Sequence, residues 1–268
     1  MARLKGPILF TGSLGNIRSY YDKRLKRYIL STKGGASGEL IKNSPVFART
    51  RENMNEFKAC GQWSSQLRKS LLSLAHLHDS NYFSAIVSLA KSIQKHDDQR
   101  LKGYRAVESS KASRQLTQLN FNSLHPFDHV MSHPFEIQFS EDKSTVSFNL
   151  TGFKSYSRLN WPTRFQSYRI ALVIAQLPDW IWNEEDESYG PVMMDLEQLT
   201  VSAFSEWRPC SDDPVDVALS ASFAQPALQH PNTTVIVAIG LEVSSYPTNQ
   251  ASFNPSGFGT MKIAACYV

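Results

Sequence analysis

Tyr168-Arg169-Ile170-Ala171-Leu172-Val173-Ile174-Ala175 decides the fold of this 268-residue chain. Successive side chains of a strand point to opposite faces, so a run that is apolar at odd and even positions needs cover on both sides. The octet reads as a central strand. On either side of it lie further strand patterns. Phe135–Phe139 and Thr145–Leu150 alternate apolar with polar residues, and Thr200–Trp207, Val215–Phe223, Thr233–Val243 and Thr260–Tyr267 follow, with Pro and Gly between them. That spacing predicts an antiparallel β-sandwich over residues 134–268. Ser244–Gly259 reads as a long loop between the last two strands.

Upstream the period changes. Ser44-Pro45 suits a helix start, with Ser as N-cap and Pro at the first helical position. Phe47, Met54, Phe57, Cys60, Leu67, Leu71 and Leu74 recur at helical steps and are assigned to one buried face, with Gly61 as a point where the helix could bend. A second helix is expected from Asp79 or Ser80, burying Phe83, Ile86, Ala90 and Ile93, and a third over 107–119. The two longer helices form a hairpin joined near His76–Asp79.

The N-terminus reads as extended. Pro7–Thr11, Ile17–Tyr21 and Tyr28–Thr32 are strand-like, separated by a turn at Gly12–Asn16 and a basic turn at Asp22–Arg27. Lys33–Gly38 is a Gly-rich link. Three short strands with so few apolar residues have no core of their own and must join a sheet elsewhere. The fold class is therefore α+β, in three segments: a basic β-strand arm (1–38), a helical region (39–133) and the β-sandwich domain (134–268).

Charge divides the same way. Residues 1–70 carry 14 Lys and Arg against 4 Asp and Glu, whereas residues 131–268 carry 7 against 15. A basic head can neutralise phosphates, meet the acidic part of a second copy, or pair within its own monomer. A contact between unlike surfaces of two copies closes into a ring or propagates as a filament. An acidic tail repels a long nucleic acid, which favours protein as the partner.

Lys5-Gly6, Thr11-Gly12, Gly15-Asn16, Tyr20, Lys33-Gly34-Gly35, Ser37, Phe47, Thr50-Arg51 and Asn53 form a KG…TGxxGN…KGGxS…FxxTRxN pattern. In these residues the N-terminal stretch resembles an uncharacterised bacterial family of conserved hypothetical proteins. The resemblance implies a shared architecture and carries no activity, cofactor or site.

Catalytic signals are weak. Gly12-Ser13-Leu14-Gly15 and Lys33-Gly34-Gly35 lack the spacing of a phosphate loop. His125, His129 and His133 would align on a helix, yet Pro126 and Pro134 interrupt it, so the segment reads as a connector without a metal. His76 and His78 read as a solvated turn. Glu184-Glu185-Asp186-Glu187 lacks the ligand spacing of a calcium loop. Cys60, Cys210 and Cys266 are odd in number and far apart, which argues against a disulfide framework or a zinc site. No cofactor is expected. Neither a signal peptide nor an uninterrupted apolar span is visible, so the expected location is cytoplasmic at synthesis, with no membrane insertion; release by a signal-less route stays open.

The expectation is a non-enzymatic structural subunit that binds itself head to tail. Arg18, Tyr20, Tyr21, Lys23, Arg24, Lys26, Arg27 and Tyr28 would form one half of the interface, and Glu184, Glu185, Asp186 and Glu187 the other. Trp161, Trp180, Trp182 and Trp207 divide between core and interface. The second choice is nucleic acid on the same basic arm, where tyrosines interleave with cations.

Overall fold

The computed structural model describes residues 2–3, 6, 9–32, 34–79, 82–142, 144–192, 200–224, 232–251 and 258–268. The fold is α+β, with antiparallel sheets. The chain divides into two compact units, Met1–Arg51 and Glu52–Val268. Among the described residues no helix is long and apolar enough to cross a membrane.

In the first unit β1 (Ala2–Arg3), β2 (Gly12–Leu14), β3 (Ile17–Asp22) and β4 (Arg27–Thr32) form one sheet in the order β1-β4-β3-β2. Gly12–Leu14, expected in a turn, is strand; the turn is only Gly15-Asn16, since Leu14 pairs with Ile17. The expected strand over Pro7–Thr11 falls partly outside the described residues, and Leu9–Thr11 are not strand. A short helix α1 (Gly38–Asn43) follows, its first turn capped by Ser37 Oγ accepting from the Leu40 N–H. At its other end the Arg51 guanidinium donates to the Ile41 and Ser44 carbonyls, both at 2.8 Å. The expected N-cap, Ser44, makes no side-chain cap bond, and Pro45–Phe47 is a single 3-10 turn.

In the second unit lies most of α2 (Ala48–Ser70), which runs through Gly61 without a break, and α3 (Tyr82–Lys95). The stretch expected as a third helix holds a 3-10 turn at Ser109–Lys111 and the short α4 (Ser113–Thr117). After α5 (Phe127–Val130) come β5 (Glu136–Phe139), β6 (Thr145–Phe153), α6 (Ser155–Arg158), β7 (Ser167–Pro178), β8 (Trp180–Asn183), β9 (Ser188–Pro191), β10 (Thr200–Phe204), β11 (Arg208–Pro209), β12 (Val215–Ser222), β13 (Thr233–Ser244) and β14 (Gly259–Tyr267). The main sheet has the order β10-β7-β13-β14, with β11 continuing beside β7. A second sheet has the order β12-β6-β5, and β8 and β9 pair as a hairpin.

β7 and β13 pair from Thr233↔Pro178 to Ser244↔Ser167. Their alternate side chains enter two different cores. Ala171, Val173, Ala175, Ile236 and Ala238 pack with Cys60, Trp63, Leu67, Leu74, Ile86 and Ala90 of the helical segments. Ile170, Leu172, Ile174, Val237, Ile239 and Leu241 pack with Val146, Phe148, Leu150 and Val217 of the second sheet. The helices expected as a region of their own therefore share a core with the strands. A two-sheet reading left this layer out.

Three residues of the expected helix faces lie elsewhere. Met54, Phe57 and Phe83 are exposed, while Cys60, Leu67, Leu71, Leu74, Ile86, Ala90 and Ile93 are buried as expected. A step of three residues falls about 60° short of a full turn, so Met54, two such steps from Cys60, sits about 120° around the helix from it.

Close packing leaves no room for a side chain at one position each of β13 and β14. A Cβ on Gly240 would lie 2.8 Å from Leu74 Cδ2 and 2.9 Å from Leu77 Cδ1, which is how closely the 3-10 segment Leu72–Leu77 crosses the sheet. A Cβ on Gly259 would overlap the Leu241 carbonyl oxygen, a backbone atom that cannot rotate away. Gly259→Ala should therefore destabilise the protein by about 2 kcal/mol through overpacking, read as a lower midpoint in urea unfolding; an unchanged midpoint would contradict the packing described.

Candidate functional site: two interaction surfaces

Register sorts the residues of the N-terminal sheet into two faces, because directly paired residues share a side. Leu14 with Ile17, Tyr21 with Tyr28, and Ser19 with Leu30 lie on one face. Ser13 with Arg18, Arg18 with Ser31, Tyr20 with Ile29, and Asp22 with Arg27 lie on the other. The first face is apolar and aromatic, with Tyr21 and Tyr28 edge to face at 5.1 Å. It is open in part: Leu14 is 72% exposed, Ile17 41% and Tyr21 46%, while Tyr28 and Leu30 are half-buried and Ser19 is buried. Among the described residues of this unit only Ser19 and Ile29 are buried, and Ile29 belongs to neither core cluster.

The eight interface residues expected in the arm therefore do not act as one group. Arg18, Tyr20 and Arg27 share the polar face; Tyr21 and Tyr28 share the apolar one; Lys23, Arg24 and Lys26 occupy the turn between β3 and β4. That turn is preformed. Asp22 Oδ1 accepts from the Arg24 and Leu25 backbone N–H groups, both at 2.9 Å, and Lys26 sits at φ +48°. The strands expected to join another sheet already pair with one another, leaving β1 and β2 as the edges.

In the second unit, Glu184–Glu187 form the turn of the β8–β9 hairpin, where Asn183 pairs with Ser188. Asn183 holds the turn from inside: its Oδ1 accepts from the Glu185 N–H at 2.9 Å and its Nδ2 donates to Asp186 at 2.7 Å. All four acidic side chains are exposed. Beneath them Trp182 meets Tyr189 at 5.2 Å and Tyr104 at 5.0 Å, both edge to face. Arg100, Leu101, Tyr104, Trp182, Glu184 and Glu187 line a cleft of about 770 Å³. Its floor is aromatic and its rim anionic. Arg100 is already engaged by Asp97 at 2.9 Å and Glu108 at 3.2 Å, so its charge is met from within.

The loop that carries Leu101 and Tyr104 is fixed by buried carboxylates. Asp97 accepts from the N–H groups of Gln99, Arg100 and Ala106. Glu56, on α2, accepts from Arg105 Nε and Nη2 at 2.7 Å each, from Lys91 Nζ at 2.6 Å and from the Gly103 N–H at 2.9 Å. Burial alone would raise this carboxyl, but the bonds from Arg105, Lys91 and Gly103 outweigh it and bring it down to about 2. Tyr189 Oη donates to the Gly103 and Arg105 carbonyls at 3.1 Å, tying the hairpin to the same loop, and Val107 and Trp180 exchange two backbone bonds. Gly103 takes φ +96° here. Both Glu56 oxygens are occupied by internal donors, so the network holds the cleft in shape and offers no open site.

Other candidates disperse. His125 meets Trp161 at 4.7 Å with the rings tilted, His133 bonds the Thr151 carbonyl, and His129 is exposed. His76 pairs with Glu242 at 3.2 Å, while His78 stacks on Tyr82. Trp207 and Phe204 flank the Arg169 guanidinium at 4.9 and 4.8 Å. Among the described residues no three His, Cys, Asp or Glu side chains converge as a metal site. Burial pushes the Cys60 thiol up to about 11. Comparison of the chain with protein families, curated proteins and solved structures finds no match.

Sequence reasoning missed the β8–β9 hairpin and the Glu56 network. The first has a signal in the β-forming Trp180-Ile181-Trp182; the second has none locally, since Arg105 and Lys91 lie 49 and 35 residues from Glu56. Glu56→Ala leaves two cations without their anion and should cost on the order of 3 kcal/mol. In the parent, the folded pKa lies below the ordinary 4.5, so this stabilisation is complete above pH 4.5 and lost as pH falls towards 2. The difference between parent and variant melting temperatures should shrink over that window; a difference independent of pH would contradict the assignment.

Proposed function

We propose that this protein is a non-enzymatic structural subunit that assembles with copies of itself through its N-terminal unit. One observation carries the reading: a four-stranded sheet presents an apolar face made of Leu14, Ile17, Tyr21, Tyr28 and Leu30, with three of these side chains over 40% exposed. A small sheet is marginal in water until its apolar face is covered, and exposed apolar patches of this kind mark association surfaces.

Charge supports a second copy as the partner. Residues 1–51 carry 11 Lys and Arg against 2 Asp and Glu, whereas residues 52–268 carry 17 against 22. Two copies can therefore attract through unlike surfaces, the geometry that yields a ring or a filament. A specific observation also favours a second reading, single-stranded nucleic acid: a hollow of about 490 Å³ beside β2 is lined by Arg18 and Tyr20, a cation and a stacking surface. Its signature is affinity that falls steeply with added salt.

Leu14→Lys with Ile17→Lys tests the self-assembly reading, since both side chains are exposed and neither supports a core. The parent should elute as an assembly heavier than its 30.2 kDa chain, and the double variant as a monomer. Equal assembly of the two proteins would sink the proposal.

A further inference from the structure

We propose that the cleft beside the β8–β9 turn is the receptor for the Lys23–Arg27 turn of a second copy. The inference rests on the self-assembly reading and names its acceptor site.

The occupant is chosen by chemistry. Lys23, Arg24, Lys26 and Arg27 place four cations around one short turn, with Leu25 44% exposed among them. The cleft offers the complement. Glu184 and Glu187 stand at its rim, with Glu185 and Asp186 beside them in the same turn. A guanidinium pairs with a carboxylate through two parallel bonds and stacks on an aromatic face, so the combination of Glu184 or Glu187 with Tyr104 and Trp182 suits Arg24. Leu101, 80% exposed, supplies an apolar contact for Leu25. A volume of about 770 Å³ lies in the range that accepts a ligand of several side chains.

Both surfaces are rigid before they meet, which lowers the ordering cost of binding. On the basic side, Asp22 and the left-handed Lys26 hold the turn. On the acidic side, Asn183 braces the hairpin turn, and Tyr189 joins the hairpin to the loop that Glu56 and Asp97 fix. Arg100, the one cation lining the cleft among the described residues, is neutralised by Asp97 and Glu108, which leaves Glu184 and Glu187 as its uncompensated charges. Each copy carries one basic turn and one acidic cleft, so the contact repeats from copy to copy.

Charge reversal in the full-length chain is the test, read by sedimentation velocity. Lys23→Glu with Arg24→Glu, and separately Glu184→Lys with Glu187→Lys, change exposed side chains only. Each variant should lose self-association by more than ~10-fold in dissociation constant. An equimolar mixture of the two should recover it, because every basic turn then finds an acidic cleft and every acidic turn a basic one. A variant that assembles as the parent does, or a mixture without recovery, overturns this pairing. If Leu14→Lys with Ile17→Lys still dissociates the parent in that case, self-assembly survives and only the cleft is lost. A parent that stays monomeric at all concentrations overturns both.

Discussion

Everything in the larger unit depends on covering both faces of one pair of strands. β7 and β13 are buried along almost their whole length, and such a pair is stable only between two layers. The helices α2 and α3 supply one layer and the sheet β12-β6-β5 the other. Gly240 lets the segment after α2 press against the sheet, and Gly259 lets β14 come up beside Leu241. The polar groups follow from the same constraint. Glu56 lies on the buried stripe of α2, and a carboxylate there must be matched by donors, which Lys91, Arg105 and the Gly103 N–H provide. Matching them pins the 97–106 loop, and the loop shapes the cleft.

The strand pair was legible because its signal is local and redundant: Ile170 to Ala175 is apolar at every position. Cys60 and Leu67 were legible because their spacing stays in phase with α2, whereas Leu71 and Leu74 are buried beyond its end, Leu74 in the 3-10 segment. Met54 and Phe57 were misassigned because hydrophobicity alone cannot tell an in-phase residue from one a sixth or a third of a turn away. Glu56 was invisible for the opposite reason, being charged at an in-phase position with partners far along the chain. The strand pattern placed a basic turn at Asp22–Arg27, and composition marked Glu184–Glu187 as acidic, yet neither could show that the acidic run borders an aromatic cleft.

The N-terminal unit lacks what the larger unit has. Its sheet has four strands and a regular register, but Ile29, the one buried apolar residue among those described in this unit, joins neither core. Of its strands β3 and β4 were read from the sequence, whereas β2 was taken for a turn, and the division of their side chains between an apolar and a basic face came only with the register. That division sets the exposed apolar side chains of Leu14, Ile17 and Tyr21 apart from the cations of the turn.

The central claim is that the apolar face of this sheet is covered by another molecule of the same chain. Backbone hydrogen exchange over residues 9–32, followed by mass spectrometry across a wide range of protein concentration, tests it most directly. The account predicts exchange that slows in this segment as concentration rises, while β7 and β13 stay protected throughout. Exchange in 9–32 that is the same at every concentration would contradict it.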